Sequence, residues 1–294
     1  MYQPSRRFVY GFSLSRETFQ LFLFDRSGPV QSSRVNIHRD AKVFVGVVRL
    51  LSDPDLSTLG FDPAIFWDKN ERYVEVNFKV EECLKVMKFK IEHILFRARG
   101  LYGRGTVCWI VRDLKSGNRV VMKDSWRSKN CKEEVDILSS LKPGEHPEIG
   151  RLEILLVDDS FAEQPLSTAS IRADQCVTAG IHNNRVFSRI LLELRPSIRH
   201  FQTGLQLLQG LRDAVQCANL SSESSLRLTS LLLAHYHLVK AGILHRDICP
   251  DHILLVQSDG GPRAVLVGFR NAVYCDKGKS PDTIPVSKAS PTAL

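Results

Sequence analysis

The sequence predicts an α+β fold, in which strand patterns dominate the first two thirds of the chain and helical patterns follow. In residues 8–37 and 73–96, apolar side chains alternate with polar or small ones, which is the period of a half-buried strand. Between residues 205 and 240, apolar side chains recur instead at helical spacing. The 294 residues leave room for one large domain or two modest ones.

The first 95 residues form the first predicted domain, a small α+β unit. Within residues 8–37, Asp25 to Gly28 has turn composition, and Gly28 can supply a positive φ. Asp40 is the predicted N-cap of a helix. Asp40 and the preceding His38 and Arg39 form a His-Arg-Asp triplet. We interpret its aspartate as a helix cap rather than as a catalytic residue. A loop over residues 52–63 and two further strands complete the unit.

Three segments follow, predicted as residues 96–194, 195–276 and 277–294. The first is strand-rich, with a helix over residues 131–141, a loop over 158–184 and a strand from Val186 to Leu194. The second holds helices over residues 205–217 and 226–240. The third is rich in Pro, Ser, Thr and Lys, a composition that predicts a disordered tail.

The charge, hydropathy and cysteine pattern of the chain indicate which partners and which cell compartment to expect. The net charge is +8, but Lys and Arg are scattered without a basic run or interleaved aromatics, so nucleic acid is not favoured as a partner. No stretch approaches the eighteen or so apolar residues of a membrane span, and the N-terminus lacks a signal-peptide core. The seven cysteines include no C-x-x-C pair, and we expect none of them to share a metal site with a nearby histidine. An intracellular location, cytoplasmic or nuclear, is therefore predicted.

A glycine pair and a lysine indicate a phosphate-binding site. Gly103 and Gly105 stand between apolar strand segments, where a tight turn can bring backbone N–H groups to a phosphate chain. Lys123 ends the apolar run that follows, and its ammonium can hold the same phosphates. Each signal is weak alone, because most such glycine pairs are hairpin turns and most strand-end lysines face solvent.

Two acidic residues extend the series. Glu134 lies on the predicted helix over residues 131–141 and can pair with Lys123, although Glu133 is a rival. Asp247 follows a long apolar helix in the run His245-Arg246-Asp247, flanked by apolar residues. A carboxylate held in this way suits a base that orients a substrate hydroxyl, with His245 packing the loop and Arg246 steadying it. The order of glycines, lysine, acid and aspartate is stronger evidence than any one of them.

These motifs, together with the N-terminal stretches LFLFDRSGPVQSS and LGFDPAI, resemble the fungal-type protein kinase family over residues 7–275. The resemblance implies a bilobal kinase fold with a β-rich N-lobe, a helical C-lobe and an N-terminal α+β extension. It implies an ATP site between the lobes, bounded by Gly103, Gly105, Lys123 and Glu134, with a hinge at residues 191–194. It also implies ATP-dependent phosphorylation of protein hydroxyls.

Two departures put the chemistry in question. His252 stands where the family places an asparagine that binds Mg²⁺, and Gly268 stands where it places an aspartate for the same ions. Mg²⁺ prefers hard oxygen ligands, so neither residue replaces the one expected. We predict no metal ligand at these positions, nucleotide binding that is weak or independent of metal, and doubtful Mg²⁺ use. Asp251 and Asp276 are the nearest acids that could compensate.

A further departure is the short segment after Phe269, only 25 residues, where a kinase C-lobe normally continues. Three hypotheses follow from these observations. The first is a degenerate or truncated kinase-fold protein that acts by binding. The second is an active, divergent kinase using Lys123, Glu134 and Asp247. The third is a non-catalytic interaction module formed by residues 1–95, with a partner that the sequence does not identify.

Overall fold

A computed structural model describes residues 3–80, 83–129, 154–158, 165–174, 183–209, 242–258 and 261–274. The chain divides into two compact units. One unit contains residues 1–131 and 153–194, and the other contains residues 132–152 and 195–294. The described residues are rich in strands and contain few helices, which fits the predicted α+β class.

The first unit opens with a small antiparallel sheet. It contains β1 (Val9–Leu14), β2 (Thr18–Asp25), β3 (Gly28–Gln31) and β4 (Val35–Asn36), and β2 pairs with all three others. Asp25 pairs with Gly28 across a two-residue turn, and Gly28 has a φ of 117°. The turn predicted at this point is confirmed, because only glycine adopts such a φ without strain.

One helix, α1 (Ala41–Leu51), follows this sheet. Asp40 occupies its N-cap position as predicted, but the Asp40 carboxylate makes no hydrogen bond to the helix and instead accepts from the Arg39 guanidinium at 3.2 Å. The capping role predicted for the Asp40 side chain is therefore wrong. None of the residues of α1, all of which the structure describes, is buried.

A seven-stranded antiparallel sheet forms the body of the first unit, in the order β10-β11-β9-β8-β7-β6-β5. Its strands are β5 (Ile65–Asp68), β6 (Glu71–Val80), β7 (Cys83–Arg97), β8 (Val107–Asp113), β9 (Arg119–Ser128), β10 (Ile154–Val157) and β11 (Arg185–Glu193). The strands predicted within residues 73–96 are present as β6 and β7. The domain boundary predicted at residue 95 falls inside β7, so this sheet does not separate there.

The two faces of this sheet carry different residues because strand side chains alternate. Val120 and Met122 of β9 belong to one apolar core with Trp109 of β8 and Leu191 of β11. Lys123, the residue after Met122 on β9, therefore lies on the opposite face.

The small sheet contributes to a second core in the same unit. Phe8 and Leu23 from the N-terminal region pack with Trp126, Ile171 and Phe187. Ile171 lies on α2 (Thr168–Asp174), within the segment predicted as a loop. That prediction is wrong here, because two of the three buried residues of this helix, Thr168 and Arg172, are polar and leave no apolar period in the sequence.

A buried ion pair reinforces this core. The Arg172 guanidinium donates to both carboxylate oxygens of Asp25, at 2.6 and 2.9 Å, and the Asp25 side chain is completely buried. Paired, bidentate geometry of this kind offsets the desolvation of both charges. The N-terminal region is thus joined to the rest of the unit by polar as well as apolar contacts.

A fragment of residues 1–95 is expected to lack a cooperative unfolding transition, which argues against an independent N-terminal module. The fragment lacks Trp126, Ile171 and Phe187, which complete its core. It also lacks Arg172, the cation that pairs with Asp25. Circular dichroism during a urea titration measures the transition. A fragment of residues 1–194, which keeps these partners, is the control. A sharp transition in the 1–95 fragment would contradict this expectation.

The second unit contains two strand pairs among its described residues. β12 (Ile243–Leu244) pairs with β15 (Val273–Tyr274), and β13 (Ile253–Ser258) pairs with β14 (Gly261–Leu266). Residues 204–209 are helical, at the start of the helix predicted over 205–217. The remainder of that helix, the predicted helices over 226–240 and 131–141, and the predicted tail lie outside the described residues.

Candidate functional site

The predicted glycine turn lies in the connection from β7 to β8. Gly103 and Gly105 have φ values of 95° and 49°, both in the region that favours glycine. The Gly103 N–H donates to the Arg26 carbonyl at 3.1 Å, and the Trp126 N–H donates to the Arg104 carbonyl at 2.8 Å. Both glycines therefore have the backbone conformation that favours glycine, but the two hydrogen bonds hold this segment to Arg26 and Trp126, and the Gly103 N–H already has a protein acceptor.

Arg26 covers this turn from the small N-terminal sheet. A Cβ added to Gly105 would lie 2.2 Å from the Arg26 Cζ, so the guanidinium occupies the space beside this glycine. Arg26 Nη1 donates to the Gly100 carbonyl at 2.8 Å and to the Leu101 carbonyl at 3.2 Å. Desolvation, followed by the nearby charge of Arg185, lowers the pKa of Arg26. Sequence reasoning missed Arg26, because 74 residues separate it from Gly100 and no local pattern connects them.

Lys123 lies in the middle of β9, which continues to Ser128, rather than at the end of its strand as predicted. Its neighbours across the sheet are Cys108 of β8 and Ile190 of β11. Lys123 is only 7% exposed, which distinguishes it from a lysine that reaches solvent at a strand end. Glu134 and Glu133, its predicted partners, lie outside the described residues. Of the predicted hinge over residues 191–194, the part up to Glu193 belongs to β11.

His245 anchors the predicted catalytic loop in the second unit. Its ring is completely buried and lies edge-on to Phe269, with centroids 4.8 Å apart. The Asp247 N–H donates to His245 Nδ1 at 3.3 Å, so Nε2 carries the proton that is donated to the Val267 carbonyl at 3.1 Å. This pairing fixes the tautomer and ties the loop to the segment that contains Gly268.

Asp247 is held from the same segment. Asn271 Nδ2 donates to the Asp247 Oδ2 at 2.9 Å, and Arg246 Nε donates to the Asn271 carbonyl at 3.0 Å. Arg246 has a φ of 60°, an unusual conformation for a residue with a side chain. Asn271 was not predicted from the sequence, because 24 residues separate it from Asp247 and no local pattern connects the two. The structure thus brings His245, Arg246 and Asp247 together with the Gly268 segment.

His252 and Gly268, the two departures seen in the sequence, lie in contact with each other. A Cβ added to Gly268 would lie 2.6 Å from His252 Cδ2 and 2.8 Å from Nε2. Gly268 has a φ of 84°, and His252 Nδ1 lies 2.6 Å from the Asp247 carbonyl oxygen. The imidazole therefore fills the space that a side chain at position 268 would need. These two positions present an imidazole and a bare backbone, so they do not fit Mg²⁺, which requires oxygen ligands.

Of the two acids considered as replacements, the structure describes Asp251. Arg199 Nε donates to the Asp251 Oδ1 at 2.7 Å, in a pair with side chains 60% and 66% exposed. Asp251 is thus engaged at the surface with a cation. Asp276 lies outside the described residues.

Cys249 has a histidine nearby both in the sequence and in space, contrary to the expectation that no cysteine has a histidine partner at short spacing. Its Sγ lies 3.4 Å from His252 Nδ1, within the turn that the 3₁₀ helix Pro250–His252 makes. The two residues are separated by only Pro250 and Asp251, so the spacing itself was the missed signal.

Comparison with known proteins covers almost the whole chain. A family model described as fungal protein kinase matches residues 1–284. A search among curated proteins found no match. Members of a protein kinase family use ATP and Mg²⁺ in general and act on proteins. Within the part of the chain that the structure describes, no helix is long and apolar enough to cross a membrane.

Proposed function

Because this chain belongs to the fungal protein kinase family, we propose that it is a degenerate member with little or no phosphotransfer activity, which acts by binding. The observation that carries this proposal is the contact between His252 and Gly268. One missing metal ligand could be replaced by a nearby acid. Here the His252 imidazole, which replaces one ligand, also occupies the space that a ligand side chain at position 268 would need. Replacing one residue alone therefore does not restore the metal site.

The expected consequence is a rate loss large enough to abolish measurable transfer. Phosphoryl transfer depends on neutralising charge at the β- and γ-oxygens, mostly by the metal ions. Each loss of about 1.4 kcal/mol of this stabilisation lowers the rate about tenfold. In a radiolabel assay with a generic protein substrate, wild type and Asp247→Ala are expected to give the same signal. Transfer by wild type that Asp247→Ala abolishes would overturn the proposal.

ATP binding without a metal requirement is proposed for the first unit. Gly103 and Gly105 both have a positive φ in the connection from β7 to β8, and Lys123 is a buried cation on the face of the sheet opposite the Met122 core. A buried cation stabilises phosphate more strongly than an exposed one, because solvent screens it less. The bilobal arrangement implied by the family, with a cleft at residues 191–194, is part of the same proposal.

A thermal-shift titration with ATP tests this binding. ATP at about 100 times its Kd should stabilise the protein by about 2.7 kcal/mol, with or without Mg²⁺, and Lys123→Ala should remove the shift. Lys115→Ala, at an exposed turn between β8 and β9, is the control and should keep it. A shift that needs Mg²⁺ would contradict metal-independent binding and would favour an active kinase.

An active, divergent kinase is the second candidate. The favouring observation is the position of Asp247, whose carboxylate Asn271 orients and whose loop the buried His245 anchors. Such pre-organisation is what a base that orients a hydroxyl needs. The same radiolabel assay separates the two candidates, because only the active kinase requires Asp247. An intracellular setting, with a protein as partner or substrate, is proposed for both.

A further inference from the structure

We propose that Asp247, Cys249 and His252 form a binding site for a transition-metal ion of the zinc class. Each of the three side chains offers one ligand atom, and these atoms all lie within 4.8 Å of one another. This site differs in ligand chemistry from a magnesium site. The inference rests on the geometry of residues 247–252 and does not depend on whether the chain transfers phosphate.

Two of the distances between the ligand atoms lie close to those around a tetrahedral ion, and the third is within 4.8 Å. With bonds of about 2.3 Å to sulfur and about 2.0–2.2 Å to nitrogen and oxygen, neighbouring ligands of zinc lie about 3.4–3.6 Å apart. Cys249 Sγ lies 3.4 Å from His252 Nδ1, and the Asp247 Oδ2 lies 3.8 Å from the same nitrogen. Small side-chain rotations are therefore enough to bring the three atoms onto one ion.

Local backbone structure holds the ligands at this spacing. The His252 N–H donates to the Cys249 carbonyl at 2.9 Å, which closes the turn between these two ligands. Asn271 Nδ2 donates to the Asp247 Oδ2, an outer contact of the kind that orients carboxylate ligands. On the far side of the His252 ring, Gly268 has no side chain to obstruct it.

The donor set selects the class of ion. A thiolate and an imidazole suit zinc, cobalt and copper, whereas magnesium is held by oxygen ligands. The Asp247 and His252 side chains are 27% and 15% exposed, so an ion and a solvent ligand can reach them. Three protein ligands and one solvent molecule complete a tetrahedral coordination.

Binding requires a defined movement of protons. The Cys249 thiol loses its proton to solvent and becomes a thiolate, which is the form that binds metal. His252 Nδ1 gives up its 2.6 Å hydrogen bond to the Asp247 carbonyl, and the ring carries its proton on Nε2 instead. One proton is released per ion, and no electron is transferred.

Titration of the full-length chain with Zn²⁺, followed by calorimetry, is the first test. We expect one ion bound by a site that includes Cys249, and no heat from Mg²⁺ at the same concentration. Co²⁺ in place of Zn²⁺ should produce the charge-transfer absorption of a thiolate–cobalt bond. ATP is absent throughout, so a failure here leaves the proposed function untouched.

Substitutions identify the ligands. Cys249→Ser should remove the charge-transfer absorption, and Asn271→Ala should weaken Zn²⁺ binding about 10–100-fold through the carboxylate it orients. Cys83→Ser is the matched control, because Cys83 is an exposed free cysteine outside the cluster. Absorption that persists in Cys249→Ser, or that disappears in Cys83→Ser, would overturn the proposal.

A measurement on the unaltered chain covers the case in which a variant does not fold. Alkylation of native protein, followed by mass spectrometry of the peptides, reports the reactivity of each cysteine. One equivalent of Zn²⁺ should protect Cys249 and leave Cys83 reactive. Equal alkylation of Cys249 with and without Zn²⁺ would overturn the proposal.

Discussion

Arg189→Met is expected to lower the free energy of unfolding by about 3–5 kcal/mol, the range for breaking a buried ion pair from one side. The Arg189 side chain on β11 is completely buried. Its guanidinium donates to the Asp124 Oδ1 at 2.7 Å and to the Asp62 Oδ2 at 2.7 Å, and Asp158 lies 3.9 Å away. Methionine fills much of the same volume but removes the cation that Asp124 and Asp62 share, so that among the described cations Asp62 keeps only Arg7, which donates to its Oδ1 at 2.8 Å.

The loss of stability in this variant should grow as pH rises. Burial alone would raise the pKa of Asp62, but the charges of Arg189 and then Arg7 outweigh it and lower the pKa. In the wild type, the stability from Asp62 is therefore present above its unfolded pKa of about 3.9 and is lost as pH falls through the lower folded value. Without Arg189, Arg7 is the cation left beside Asp62, so the pKa of Asp62 should be higher than in the wild type and the deficit of the variant should grow as pH rises.

Urea unfolding of both proteins at about pH 4.5 and pH 7.5 measures this effect, with the larger deficit expected at the higher pH. Arg112→Met is the matched control on β8. Arg112 pairs with Glu92 at 2.7 Å, but its side chain is 40% exposed, so its loss should change stability by about 0–1 kcal/mol. Equal effects of the two substitutions would show that burial of the Arg189 cluster contributes nothing.

The second large effect is expected at Gly268. Gly268→Asp, which restores the family's acid, should lower the free energy of unfolding by about 2–4 kcal/mol in the wild-type background. Backbone strain at a φ of 84° contributes about 1–2 kcal/mol of this. Contact with the His252 ring, within 2.6 Å of the new Cβ, adds about 1–3 kcal/mol, because hydrogen bonding holds that ring in place.

His252→Asn in the same chain should relieve most of the contact. The loss caused by Gly268→Asp should then fall to that of backbone strain alone, a coupling within about 0.5–3 kcal/mol. Gly117→Asp is the control, since Gly117 has a φ of 74° and an added Cβ there meets nothing within 4 Å. Chemical denaturation of the four variants measures the coupling. Additive effects would contradict the contact between His252 and Gly268.

The same double substitution has a functional readout. His252→Asn with Gly268→Asp restores both oxygen ligands that Mg²⁺ prefers, and a Mg²⁺-dependent gain in phosphotransfer is expected only when both are present. Either single substitution should remain at the level of Asp247→Ala. Each single variant still lacks one of the two oxygen ligands. In Gly268→Asp, the His252 ring also occupies the space that the new side chain needs.

Much of the local structure could be predicted from the sequence. Period-two alternation is a local property, so it identified the strands around Val76 and Val86, and a positive φ was predictable at Gly28 because only glycine tolerates it there. The His245-Arg246-Asp247 run and its family were likewise readable as a series of motifs. The short helix at Thr168 was missed because surrounding polar residues obscured its pattern.

Only the tertiary structure showed which distant residues meet. Arg26 beside Gly105, Arg189 among Asp62 and Asp124, and His252 against Gly268 are contacts between segments far apart in the chain. Local sequence patterns do not predict such contacts, because the identity of a charged residue or a glycine does not indicate which distant residue it contacts in the fold. The sequence by itself determined the strand pattern, the family and the absent oxygen ligands. Only the fold shows that the His252 imidazole, which replaces one ligand, also occupies the side-chain space at position 268, where the other ligand is missing. The reason is that β13 and β14 pair and bring residues 252 and 268 together.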